Sequence, residues 1–121
     1  MAPQLLFDLT AHDLDQTLYG PDHIESLNPH RGDMRLLDGI IWAHIDEENT
    51  KAIGYKDVRD DEFWVPGHIP GRPIFPGVLM IEAAAQFASY VTMRKFEKVK
   101  FIGFAGVDDV KFRGQVSRAT A

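Results

Sequence analysis

Cysteine is absent from all 121 residues, which excludes disulfide frameworks, thiolate zinc sites and cysteine nucleophiles and suits a reducing compartment. Positive charge is also in short supply. Thirteen Lys and Arg against eighteen Asp and Glu leave a net charge of −5, and attraction to nucleic-acid phosphate needs a positive surface field, so no nucleic-acid partner is expected. The start of the chain, Met1 to Asp8, lacks the basic residues and long apolar stretch of a secretory signal, which points to the cytoplasm. No run is long enough to span a bilayer. The best candidate, Gly77 to Met93, falls short of the ~20 residues required, contains Glu82 and Gln86, and leads straight into Arg94-Lys95.

What the sequence does contain fits one domain over 1–121, since 45% hydrophobic residues support a modest core but not two. Residues 1–32 read as a covering segment in which Gly20-Pro21-Asp22 starts a short helix, His23 to Leu27, that Asn28-Pro29 ends. Met34 to Ile45 is a β-prone run broken at Asp38-Gly39. After the polar turn at Asp46 to Asn49, Lys51 to Val58 alternates, so 33–58 is predicted to be an antiparallel hairpin. Four prolines and three glycines between Phe63 and Gly77 deny 63–77 a helix or a central strand, yet its apolar residues call for packing on the core. Helix 77–95 carries apolar residues on every face and is expected to be buried all round. Residues 99–116 are predicted to return to strand, Lys100 to Val107 and Val110 to Phe112, with a frayed polar end. Together these pieces suggest an α+β fold, a long helix enclosed by curved antiparallel sheet.

Three groups within fifteen residues can do chemistry. Glu82 is the one carboxyl on an otherwise apolar helix. If buried without a charge partner it keeps its proton and can donate it; pairing with an arginine such as Arg72 or Arg113, or pointing to an exposed strip, is the structural alternative. His68 sits in Pro66-Gly67-His68-Ile69-Pro70-Gly71, rigid on both sides, and imidazole suits proton abstraction near neutrality. Pro76-Gly77 opens the helix, so the Gly77 N–H is a candidate donor to a developing oxyanion. His12, His23, His30 and His44 have no ligand spacing and most are expected at the surface, so no metal is predicted. Trp42 and Trp64 either pack in the core or line a binding tunnel.

The run His68-Ile69-Pro70-Gly71-Arg72-Pro73-Ile74-Phe75-Pro76-Gly77-Val78-Leu79-Met80-Ile81-Glu82-Ala83-Ala84-Ala85-Gln86 resembles the signature of the 3-hydroxyacyl-acyl-carrier-protein dehydratases, in the FabZ branch, which has glutamate where FabA has aspartate. Weaker similarity covers Pro29-His30-Arg31 with Asp38, and Phe104 to Asp108 followed by Lys111-Phe112-Arg113. The chain departs from the pattern at Gly32-Asp33-Met34-Arg35, where aromatic and proline residues are usual. The resemblance implies a hotdog fold and sheets paired edge to edge in a homodimer or dimer-based oligomer. It also implies an active site with histidine from one subunit and carboxylate from the other. It makes His68 the base, Glu82 the acid and Gly77 the oxyanion donor, with Phe75, Pro76, Val78 and Gln86 as substrate-binding residues. Family members continue beyond the Val116 position, so the final strands are expected to be missing here, leaving a helix face exposed or covered by another subunit.

The reaction this implies is reversible dehydration of 3-hydroxyacyl thioesters, carried on acyl-carrier protein or CoA, to trans-2-enoyl thioesters in fatty-acid biosynthesis, with no organic cofactor. Residues 67–121 hold eight Lys and Arg against four Asp and Glu. Of these, Arg94, Lys95, Lys98 and Lys100 are the expected dock for an acidic carrier, a solvated face being the alternative. The competing functions are a non-catalytic hotdog protein that binds acyl chains or partners a full-length dehydratase, and an acyl thioesterase.

Overall fold

Proline is pre-set for the first turn of a helix and an aspartate there complements the helix dipole. In the computed structural model, which describes residues 6–118, helix α1 accordingly spans Pro21–Leu27, two residues earlier than the expected start. The expected absence of a secretory signal, read from Met1 to Asp8, and the expected frayed end, Gln115 to Ala121, lie in part outside the described residues, at 1–5 and 119–121.

The hairpin forms, but shorter than the sequence suggested. Strand β1 is Gly39–His44 and pairs antiparallel with β2, Lys51–Tyr55, with an irregularity between Ile40 and Trp42. Met34 to Leu37 stay outside the ladder because Leu36 and Leu37 donate their N–H groups to the Gln86 side chain, at 2.9 and 3.2 Å, instead of to a strand, while Asp38 N–H still reaches Tyr55 O at 3.0 Å. The turn is an Asx turn: Asp46 Oδ1 accepts from the N–H of Glu48 and Asn49, at 3.0 and 2.6 Å.

Helix α2, Gly77–Lys95, matches its predicted span and is about 28 Å long. It lies close over the hairpin at Gly54, where a β-carbon would meet the Phe87 ring at 2.8 Å. Its burial corrects the expectation of a helix enclosed on every face. Only Gln86 and Tyr90, one turn apart, are fully buried, and Val78 is 73% exposed. The core beneath it joins Ile24, Leu37, Ile40 and Tyr90, so one stripe of α2 is sealed by α1 and β1. No described helix is long and apolar enough to cross a membrane.

The predicted strands at Lys100 to Val107 and Val110 to Phe112 do not form. A strand must pair its backbone with a neighbour. Among the described residues, the backbone bond that ties 100–116 back is Phe75 N–H to Val116 O, at 2.7 Å. Phe101, Phe104 and Phe112 are left exposed.

At the far end of α2, His23 and Tyr90 couple the two helices. The His23 Nε2 and Tyr90 hydroxyl lie 2.9 Å apart, Arg94 donates to the same hydroxyl at 3.3 Å, and the Tyr19 ring stacks on His23. Burial, with the Arg94 guanidinium adding to it, pushes His23 below the usual histidine range. His23 is thus a half-buried exception among histidines expected mostly at the surface. Because the unfolded chain binds the proton more readily, the stability this contact supplies is complete above about pH 6.5 and is lost as the pH falls through the lower folded value. Urea midpoints between pH 5 and 8 should therefore drop on the acid side for the wild type and stay flatter for His23→Gln. Parallel curves would remove His23 as the cause. The exposed carboxyls Asp8, Asp46 and Asp61, held low by hydrogen bonds from Thr10, from Asn49 and from Arg59 respectively, act only in a more acid window.

Candidate active site

The Pro/Gly-rich segment is a series of tight turns anchored by two rings. Trp64 and Phe75 are buried with centroids 5.5 Å apart, which favours core packing for Trp64 over lining a tunnel. The N–H groups of Gly67 and His68 both return to Trp64 O. Ile69 then adopts φ +61° and Gly71 φ +82°. For a β-branched residue the left-handed region costs roughly 1–2 kcal/mol, so the chain bends sharply just after His68 at some expense. His68 Nδ1 lies 2.8 Å from Ile74 O. A carbonyl only accepts, so Nδ1 carries the hydrogen, and in the neutral ring Nε2 keeps its lone pair for a proton. The loop thus holds the ring in the tautomer a base needs.

Glu82 stands on the second turn of α2. It is not the unpartnered buried acid that the apolar helix suggested: its side chain is 33% exposed. Neither Arg72 nor Arg113 pairs with it. Instead Gln86, one turn on, donates from Nε2 to Glu82 Oε1 at 2.8 Å, and His30 Nε2 lies 3.6 Å from the same oxygen. Gln86 is 1% exposed, and its amide also donates to Met34 O at 2.8 Å while its oxygen accepts from Leu36 and Leu37. Two donor and two acceptor capacities are all used. Gln86, which the motif puts among the substrate-binding residues, has its whole amide engaged within the chain and is a fixed bracket for Glu82. Glu82 Oε2 makes no hydrogen bond among the described residues and remains available. Within one chain, no hydrogen bond or ion pair joins His68 to Glu82 among the described residues.

The remaining expected site residues separate. Gly77 begins α2, with Leu79 and Met80 donating to Pro76 O and its own N–H unbonded among the described residues. A β-carbon there would lie 3.0 Å from the Phe112 ring, so a larger residue would make that exposed ring give by a few tenths of an ångström. Pro76 is buried at the helix N-cap and Phe75 is core, while Val78 points outward. Arg94 is occupied by Tyr19 and Tyr90. It lies twelve residues along the helix from Glu82, about 18 Å, so the basic cluster sits at the opposite end from the acid. Nearer His68 is an open depression of about 600 Å³ lined by Asp60, Arg72, Ile74 and Arg118 among others.

Two residues were missed from sequence. His30 carries no role in the sequence reading, and its clue is its place in Pro29-His30-Arg31, which shares the weaker family similarity. Phe112 was read as strand, and nothing local pointed to Gly77.

A FabA-like domain model matches residues 28–121. Three proteins named 3-hydroxyacyl-acyl-carrier-protein dehydratase FabZ are similar to this chain. The one from Herpetosiphon aurantiacus is 39% identical over 97 residues, 79% of this chain and 67% of that protein. Those from Pelotomaculum thermopropionicum and Clostridium botulinum are 41% and 40% identical over 96 residues, each covering 78% of this chain and, in that order, 66% and 65% of those proteins. The chain spans about two thirds of the length of these relatives. Matched by the model from Asn28 onward, across the His30 segment, the His68 loop and the Glu82 helix alike, the chain belongs to the FabA-like family of hotdog proteins.

Proposed function

We propose that this protein dehydrates 3-hydroxyacyl thioesters reversibly to trans-2-enoyl thioesters in fatty-acid biosynthesis, with the acyl group carried on acyl-carrier protein. The observation that carries the reading is the pair of fixed side chains: a histidine whose Nδ1–H is held by Ile74 O, and a carboxyl whose Oε1 is held by Gln86 while Oε2 stays available. The relatives' name supports the substrate class.

His68 Nε2 takes the proton from C2, and the Gly77 N–H receives the charge that builds on the thioester oxygen. Glu82 Oε2 delivers its proton to the C3 oxygen as the C–O bond breaks, so water leaves and the C2–C3 double bond forms. The imidazolium and carboxylate left behind return to their starting states by proton exchange with solvent. Each acid/base step contributes about 100- to 10,000-fold.

The site is composed of His68 from one copy and Glu82 from a second, as the family resemblance implies; no hydrogen bond or ion pair joins the two within one chain among the described residues. The exposed Val78, Phe101 and Phe104 supply apolar surface for that association. The test is incubation of the purified protein with a short-chain 3-hydroxyacyl thioester. Enoyl-thioester absorbance is expected, whereas release of free thiol, or no change at all, would overturn the reading.

A further inference from the structure

Beside Glu82 lies a second histidine with no assigned task, and the segment that carries it is tied to α2. Asn28 is buried and bridges to α2, donating from Nδ2 to Gln86 O at 2.9 Å and accepting from Ser89 Oγ at 3.0 Å. Arg31 folds back to donate to the carbonyls of Asn28, His30 and Glu25. His30 is held between these two straps. Its side chain is 26% exposed, its Nε2 sits 3.6 Å from Glu82 Oε1, and its Nδ1 is buried with no hydrogen-bond partner.

The unpartnered Nδ1 decides which nitrogen carries the hydrogen. A buried N–H without an acceptor is costly, whereas a weakly solvated lone pair costs less. The neutral ring therefore places its hydrogen on Nε2, facing Glu82. At 3.6 Å that contact is longer than a hydrogen bond. It tightens when the oxygen gains charge, which happens as Glu82 gives up its proton.

We infer that His30 is a positioning residue whose Nε2–H stabilises the Glu82 carboxylate as it forms during proton donation. The inference rests on Glu82 being the acid of the proposed reaction. It is a transition-state effect, because the interaction strengthens along the reaction coordinate and is weak in the resting protein. No competing charge supplies it. Arg31 and Arg35 both pair with Glu25 of α1, Asp38 is held by Arg35 and Lys56, and Gln86 is uncharged. Among the described residues no other charged group comes within ion-pair distance of Glu82.

The experiment compares wild type, His30→Leu and His30→Gln on a 3-hydroxyacyl thioester across pH, with the carboxyl carbon of Glu82 followed by NMR titration in the resting proteins. His30→Leu should lower kcat about 10- to 100-fold with little change in KM. Losing the donor should also change the alkaline limb of the rate profile and the Glu82 carbon-13 midpoint. His30→Gln keeps an N–H donor and should restore most of the rate and both positions. Equal losses in the two variants, or an unmoved Glu82 titration in His30→Leu, would overturn the inference. A wild type that makes no enoyl product would instead overturn the dehydratase reading, while the titration still decides whether His30 stabilises the carboxylate.

Discussion

Glu82→Gln is expected to lower kcat for dehydration by about 100- to 10,000-fold with the urea midpoint close to that of wild type. The substituted amide still offers an oxygen to the Gln86 donor that now holds Oε1, so the bracket survives and only the transferable proton is lost. His68→Ala is expected to fall by a similar factor, since it removes the lone pair that the Ile74 carbonyl leaves available. Each loss should appear in kcat, because both groups act on bonds that change only in the transition state. Mixing the two inactive variants provides the sharper measurement. In a two-fold pair, a mixed dimer carries both substitutions in one site and neither in the other. Co-refolding equal amounts should therefore recover about a quarter of wild-type activity. Zero recovery from well-folded mixed dimers would mean that the site does not draw on two copies. Wild-type rates in either single variant would remove that residue from the chemistry.

The parts of this molecule that could be read in advance were those with strong local causes. Gly77–Lys95 was bounded by Pro76 before it and basic residues at its end, and the structure returns the same helix. Asp46 to Asn49 announced a turn because an aspartate can cap the backbone just after it, as it does. Long-range pairings were not legible. The Leu36 and Leu37 N–H groups look available for a strand until the Gln86 amide, fifty and forty-nine residues away, takes them. Apolar residues around Glu82 suggested a dry, unpartnered carboxyl, yet it is met by a buried amide one turn on and by a histidine from another segment. Such partners depend on how α1, the 28–38 segment and α2 come together. Periodicity reports which way a helix faces but not which polar atom waits there. The segment after Val99 shows the converse: its composition favours strand, and composition alone does not provide the neighbour a strand requires.

Gln86→Leu is expected to cause the largest loss of stability of any single change to the candidate site. Leucine has nearly the volume of glutamine, so the cost is polar rather than a cavity. It leaves the N–H groups of Leu36 and Leu37 buried without their partner and also frees the part-buried carbonyl of Met34. At roughly 1–3 kcal/mol for each orphaned group, and with incomplete additivity, the loss is about 3–6 kcal/mol. That is a large share of the ~5–15 kcal/mol typical of a whole domain. The urea midpoint should fall steeply at an unchanged slope, the signature of lost stability without a change in exposed surface. Gln86→Glu separates the bracket's two halves. Its carboxylate can still accept from Leu36 and Leu37 but cannot donate to Met34 or Glu82, and it sets a second negative charge beside the first. Folding then favours uptake of a proton that the two carboxyls share. Because the folded variant binds more protons than the unfolded one, its stability relative to wild type should recover as pH falls. A Gln86→Leu protein with a wild-type midpoint would mean that the amide does not hold the Met34 to Leu37 backbone. Gln86→Glu unfolding with no extra pH dependence would place Glu82 farther from the bracket than 2.8 Å.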